Sequence, residues 1–598
     1  MHPMRTSTRG PALLRTAALP ALLALAAACG DRRPAPGTAA RPDSADGTPE
    51  PGGTAVVVEL GDMEMPSPLL AQGGLDSDLF DVLYMGLTRG AWRDGRPVYL
   101  TSSESPMALA YHWEYVGADS TALRYRMRRG VRWSDGQPVT AADVVFTYAL
   151  FADPRVASPR QDDVAQIDSV RAENDSTVVF YFKRRYPDML FASGIPVVPR
   201  HVYEAAGPGG IRGHPSFTDP VGHVVVSGPF TIGAWSRGSS ITLVPNLYFS
   251  PKPRLDRVVI RVVPEATTRV VEVRNRAADF VRGISFDQVP QLLGPGSGLR
   301  VEREHKRFWE YIAYQESAHP AFADPQVRRA LGMAIDVPGI IRALRMEGFT
   351  QQAAGPYSPI FRDLFDSTRM KPLPYDTAGA KRILEARGWR DADGDGVREK
   401  DGQPLRFTLL TNSGNARRAD VSQIVQQQWK KVGVDARLQQ IETNVFFGNI
   451  TGKKFEAALG SWQVPLSADI TIMWSPQSPF NITGYDGQEG WALMQQALAQ
   501  PTAAKADPLW RAAAERIVQD QPYTWLYYYD QVTVVRDRLR GVRVDSYGAY
   551  QNLWEWWIPR SLQGGTGSAG GASSPAPGAG ARDTSRNQAQ NQKQNGKR

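Results

Sequence analysis

The chain has 598 residues, 42% of them hydrophobic, enough for two or three domains with sizeable cores. Its single cysteine excludes a disulfide framework and a cysteine-based zinc cluster. The formal charge of +8 is concentrated at the ends, with Arg5, Arg9 and Arg15 near the start and Arg582, Arg586, Lys593, Lys597 and Arg598 near the finish. The stretch between them is close to neutral, so a nucleic-acid partner is not expected.

Residues 1–28 carry arginines and then an apolar run from Ala12 to Ala28. The run is too short to span a membrane and reads as a secretory signal. It ends at Ala26-Ala27-Ala28-Cys29, similar to a bacterial lipobox, although alanine stands where leucine is usual and the leucine is shifted to Leu25. Cys29 is therefore expected to carry a lipid anchor, the alternative being a plain signal with an incidental cysteine. Residues 29–53 are rich in Pro, Ala, Gly and Asp and are expected to form a disordered tether. Thr54 to Leu60 is the first strand.

The run Leu123 to Leu150 is the most informative stretch. Leu123, Tyr125 and Met127 alternate with arginines in the period of a half-buried strand. Ser134-Asp135-Gly136 is a turn. Thr140 with Asp143 makes a capping-box-like helix start, and Val144, Val145, Tyr148 and Ala149 are expected on the inward face. Phe230 and Ile232, a turn at Arg237-Gly238-Ser239, and Ile241 and Leu243 predict a hairpin. Asp324 and Pro325 open a helix whose Val327, Ala330, Leu331, Ala334 and Ile335 form one stripe. Between Tyr375 and Ile441 a strand at Leu405–Leu409, a helix capped by Asp420, and a strand from Val434 to Ile441 predict parallel pairing. Asp391, Asp393 and Asp395 with Gly396 copy the first half of a calcium loop. Position 12 of that loop is Gly402 instead of glutamate, which favours a polar turn over a metal site. Residues 563–598, Gly/Ser/Ala-rich and then Gln/Asn-rich, read as a disordered tail.

The wording of several blocks resembles family 5 of the extracytoplasmic solute-binding proteins, the peptide-, dipeptide- and nickel-binding receptors of ABC importers. The blocks are Arg-Gly-Val-Arg-Trp-Ser-Asp-Gly through Ala-Asp-Val-Val-Phe146, Ser-Gly-Pro-Phe230 through Phe249, the Asp324 helix, Ser461-Trp462, and the segment from Ala497 to Asp530. The resemblance covers roughly residues 54–560. It implies an α/β fold of the periplasmic-binding-protein type (cluster C), with two lobes of mixed sheets. Lobe I would comprise 54–87, 218–305 and 520–562, with an extra subdomain at 88–217. Lobe II would comprise 306–519.

The resemblance also implies a ligand cleft formed by Asp62, Met63 and Glu64 after the first strand and by Ser461, Trp462, Gln463, Asp469, Trp474 and Tyr485. Each of these has an ordinary alternative as a strand-end or core residue. Oligopeptide receptors place an aspartate three residues after this tryptophan, and here that position is Pro465. Asp469 or Glu64 remains to meet a cationic ligand group. The expected role is a periplasmic, membrane-anchored lipoprotein that binds a peptide or similar small solute. It would work as a monomer, deliver to an ABC permease and ATPase, and need no cofactor. A sensor or chaperone without transport is the alternative. A hydrolase is disfavoured because the chain has neither G-x-S-x-G nor H-E-x-x-H and its seven histidines are scattered.

Overall fold

The structure is a computed structural model that describes residues 48–71, 74–463 and 466–563. The expected signal, Cys29, most of the tether, Pro465 and the tail beyond Gln563 lie outside the described residues. Among the described residues no helix is long and apolar enough to cross a membrane.

Strand β1 (Thr54–Glu59) opens the main sheet. Two smaller antiparallel sheets follow. One is the hairpin β2 (Arg89–Arg93) and β3 (Arg96–Leu100). The other contains β4 (Ala110–Val116), β5 (Ala122–Met127), β6 (Ile167–Asn174) and β7 (Thr177–Phe182), in the order β4-β5-β7-β6. The chain returns to the main sheet with β8 (Phe230–Ser236), β9 (Ser240–Pro245), β10 (Arg257–Val262), β11 (Phe280–Arg282) and β12 (Leu299–Tyr314). Then come β13 (Thr350–Gln352), a small hairpin of β14 (Glu399–Lys400) and β15 (Gln403–Pro404), β16 (Arg406–Asn412), β17 (Asp435–Ile441), β18 (Ala457–Gln463) and β19 (Tyr523–Arg536). The main sheet has eleven strands in the order β17-β16-β18-β12-β19-β11-β1-β10-β9-β8, with β13 added on β19.

β12 and β19 organise this sheet. They run antiparallel, and their register shifts between Glu304 and Phe308. On one side of that break β19 continues into β11 through Thr533–Val535. On the other, β12 continues into β18 from Phe308 to Tyr314. One strand pair thus joins two halves of a mixed α/β fold, as expected for a two-lobed binding protein. β1 is parallel to both neighbours and buried on both faces. Its alternation sends Ala55 and Val57 into one apolar cluster and Val58 into a second. A third cluster, around Trp309, Tyr311, Tyr357, Trp474 and Tyr523, fills the half that carries β18.

The local signals translate directly where the chemistry is short-range. The Asp143 carboxylate accepts from the Thr140 N–H at 2.8 Å and opens the Ala141–Ala152 helix. Asp324 accepts from Gln326 N at 2.9 Å and starts the Pro325–Met333 helix. β16 and β17 pair in parallel.

Two expectations are corrected. Ala149 is exposed, and Thr147, Leu150 and Phe151 complete the buried face instead. Asp420 lies inside the Ala416–Lys430 helix rather than at its start. Asn415 is the cap, accepting from Arg418 N at 3.1 Å just after Gly414 turns the chain at φ +80°. That helix buries Val421, Val425 and Trp429 at four-residue spacing, each contributing about 1.5–3 kcal/mol.

Candidate functional site

The loop after β1 is held by carboxylates. Asp62 accepts from the Trp235 indole at 3.1 Å, from Gly238 N at 2.6 Å and from Met63 N at 2.8 Å. It is therefore a strut tying this loop to the β8–β9 turn. Asp76, on the Gly74–Leu83 helix, accepts from Glu64 N at 2.8 Å and Met65 N at 3.2 Å. Burial pushes the Asp76 carboxyl up to about 6, against the pull of those two N–H groups. The N–H groups of Met63, Glu64 and Met65 are thus already engaged by these carboxylates and are not free to meet a ligand. Met63 is buried, while the Glu64 side chain is exposed.

Beneath this loop, at the end of β1, Glu59 meets Arg282 of β11 at 3.3 Å. The same guanidinium contacts Asp78 at 2.5 Å and Glu304 at 2.9 Å, and Tyr550 donates its hydroxyl to Glu59. Burial raises the Glu59 carboxyl, and Arg282 opposes that shift. This buried network ties β1, β11 and β12 together immediately before the register break.

Across the break, Glu310 of β12 is 0% exposed and pairs with Arg418 at 2.5 Å and Arg417 at 3.1 Å. Arg418 also donates to Asn412 Oδ1 and Ser461 Oγ, both at 2.6 Å. Arg417 lies 4.5 Å over the Tyr529 ring and 5.6 Å from that of Phe286. Ser461 is therefore oriented by a buried cation. The next residue, Trp462, is half-buried, stacked on Tyr311 at 6.0 Å and edge-on to Phe480 at 5.9 Å. Gln463 is exposed. β18 pairs with β16 only at Ala457 and Ala458. The edge of Gly460–Gln463 turned away from β12 has no ladder partner among the described strands.

Trp474 and Tyr485 differ from expectation. They are 1% and 3% exposed, meet edge to face at 5.7 Å, and the Tyr485 hydroxyl donates to Asp520. Both are packed side chains of the third cluster rather than open walls.

Asp469 is half-buried and accepts from Thr471 N at 2.8 Å and Thr471 Oγ1 at 2.6 Å. Its own N–H donates to Ser467 Oγ at 2.9 Å, and that hydroxyl donates to Asp188 Oδ2 at 2.8 Å. Asp188 follows β7, so this chain of bonds links the four-stranded sheet's segment to the loop after β18. Burial, and then the Asp469 charge, push the Asp188 carboxyl up to about 7. Burial also raises Asp469. Sequence reasoning missed Asp188, which carries no local signal beyond the preceding Tyr186-Pro187.

Two cavities, of about 560 and 350 Å³, are lined by Lys381, Arg390 and Lys430 and by Thr408, Gln439 and Lys454 respectively, and contain none of these residues. Asp391, Asp393 and Asp395 are exposed, with carboxylate oxygens within 4.8 Å of one another. They already accept from the N–H groups of Gly394, Asp395, Gly396 and Val397.

Residues 106–484 match the model of the bacterial extracellular solute-binding proteins, family 5 (middle). The oligopeptide-binding protein AppA of Bacillus subtilis is 27% identical over 529 residues, covering 86% of this chain and 93% of its own length. An oligopeptide-binding protein OppA of Lactococcus lactis subsp. cremoris is 26% identical, covering 72% and 78%. The structure of Bacillus subtilis AppA in complex with a nonapeptide superposes with a TM-score of 0.75 at 25% identity, covering 86% of this chain and all of that one.

Proposed function

The chain belongs to family 5 of the bacterial extracellular solute-binding proteins, and on that premise we propose that it captures peptides and hands them to the permease of an ABC importer. The β12–β19 pair is the hinge, flexing at its register break between Glu304 and Phe308. The ligand lies between the two halves as an added strand. It pairs with the open edge of Gly460–Gln463, with Ser461 pre-set by Arg418 and Trp462 as the apolar floor. The single observation carrying this reading is that open edge, beside a half-buried tryptophan at the junction of the halves. The N–H groups after β1 are engaged by Asp62 and Asp76, so recognition on that side falls to the exposed Glu64 carboxylate. Asp469, lacking a basic partner among the described residues, receives a cationic group of the ligand. Cys29 anchors the chain to the outer face of a membrane.

Calorimetry with a random-sequence nonapeptide pool tests the reading. Saturable binding is expected, weakened by Trp462→Ala. Absence of heat and of any thermal shift with the pool would refute it. A Cys29→Ser variant is expected to leave the membrane fraction while retaining peptide binding.

A further inference from the structure

The segment leading out of β7 and the hairpin β2–β3 reach the half built on β18 through, among other described contacts, the following four. Trp92 stands edge-on to Phe361 at 4.9 Å. Arg96 pairs with Asp363. Arg185 Nε donates to Pro501 O at 3.1 Å. The fourth is the Ser467 hydroxyl, which donates to Asp188 and accepts from Asp469 N. Tyr357 fixes the same loop by donating its hydroxyl to Ala468 O. The first three contacts are ordinary complementary ones. The fourth sets the Asp188 carboxylate of one half against the Ser467 hydroxyl of the other at 2.8 Å, and Asp188 forms no ion pair with any described lysine, arginine or histidine.

From this geometry we infer that Asp188 is a proton-dependent catch on closure, protonated when the halves are shut and charged when they part. The inference rests on the reading that the two halves open and close about β12 and β19. In the open form the Asp188 carboxylate is hydrated and ionises as an ordinary aspartate. Closure removes water from Asp188 and adds the repulsion of the Asp469 charge, so one proton is taken up by Asp188 as the halves meet. Linkage then requires acid to favour the shut form.

The surroundings do not supply the missing cation. Tyr186, beside Asp188 in sequence, has its hydroxyl raised by burial, then by Asp188, Asp469 and Asp163, and lowered only slightly by Arg184. Tyr99 of β3 and Tyr357 are raised by burial and also feel Asp188. Asp507, on the Ala503–Asp520 helix, adds to the negative charge at Asp188. The guanidiniums of Arg96 and Arg511 act on Asp507 and Asp363. With Asp188 at about 7 when shut, the direction is fixed. The carboxyl is raised in the shut form, so the shut form is favoured at low pH and loses that advantage as pH climbs through about 7. The closed-to-open ratio should fall about tenfold or more between pH 5.5 and 7.5.

Small-angle X-ray scattering of the full, ligand-free chain reads this directly. The radius of gyration is expected to rise between pH 5.5 and 7.5. In Asp188→Asn it is expected to stay at the compact value throughout, since asparagine keeps an acceptor for Ser467. In Asp469→Asn the rise is expected to persist at a lower pH, because burial still raises Asp188 and only the smaller, charge-derived part is lost. A radius unchanged by pH in the wild-type protein, or a pH response that persists in Asp188→Asn, overturns the catch. The same measurement with the nonapeptide pool at pH 7.5 separates the two readings. Compaction by peptide without a pH response sinks the catch alone. A pH response without compaction by peptide sinks peptide capture alone.

Discussion

Replacing Glu310 by alanine tests the physical core of the candidate site. Glu310 has no exposed side-chain surface and is the carboxylate partner of both Arg417 and Arg418. Removing it leaves Arg418, 8% exposed, with only the neutral oxygens of Asn412 and Ser461. Breaking a buried pair from one side in this way costs about 3–5 kcal/mol, because the remaining charge has lost both water and partner. A folded body of roughly 500 residues has an unfolding entropy of about 1 kcal/mol/K, so the melting temperature should drop by about 3–5 °C. Arg417→Ala is the internal control. Arg417 is 25% exposed, and its loss leaves Glu310 still paired with Arg418, so about 1 kcal/mol is expected. Urea midpoints and calorimetry of the three proteins read the difference. Peptide affinity should fall with Glu310→Ala, because the Arg418 donor to Ser461 Oγ is no longer held in place by a carboxylate. Equal losses in the two variants, or a Glu310→Ala protein within 1 °C of wild type, would refute the reasoning that buried charge orients this strand end.

Other measurements probe separate parts of the molecule. The Asp76 carboxyl is raised to about 6 in the folded chain from an ordinary 3.8, so the folded state holds that proton more tightly than the unfolded one. Stability contributed by this group therefore falls as pH rises from about 4 to about 6. Asp76→Asn, which keeps the acceptor for Glu64 N, should remove about 1–2 kcal/mol of that pH dependence in urea titrations; an unchanged slope would contradict it. Trp462→Ala should weaken nonapeptide binding by roughly 30-fold, the scale of losing a central aromatic anchor, with the fold intact by circular dichroism. Asp469→Asn should weaken lysine- and arginine-containing peptides about tenfold more than neutral ones, and a uniform effect would show that Asp469 meets no ligand charge. Calcium at 5 mM should shift the melting temperature by less than about 1 °C, since the Asp391 loop lacks the bidentate glutamate at its twelfth position; a rise of several degrees would make it a metal site.

How far the sequence reaches is set by the range of the interactions involved. The Thr140–Asp143 box, the Asp324 cap and the Arg237-Gly238-Ser239 turn were legible because each is decided within a few residues. The parallel pairing of β16 and β17 followed from the crossover helix between them, and only the start of that helix was misplaced. There the Asn415 cap beside Gly414 outranked Asp420, which the periodic pattern alone had favoured.

The site was less legible because its side chains take their roles from partners far along the chain. Asp62 reads as a free acid at a strand end until Trp235, 173 residues later, claims it. Trp462, Trp474 and Tyr485 are alike as letters. Packing alone leaves the first half-open and buries the other two with Tyr523 and Asp520. Asp188 carries no motif, and it becomes notable only because the fold sets it against Ser467, 279 residues away, with another carboxylate behind. A short-range code can place strands and caps. The balance of charge in a cleft is a property of the assembled surface, and it comes into being only when distant segments shed their water against each other.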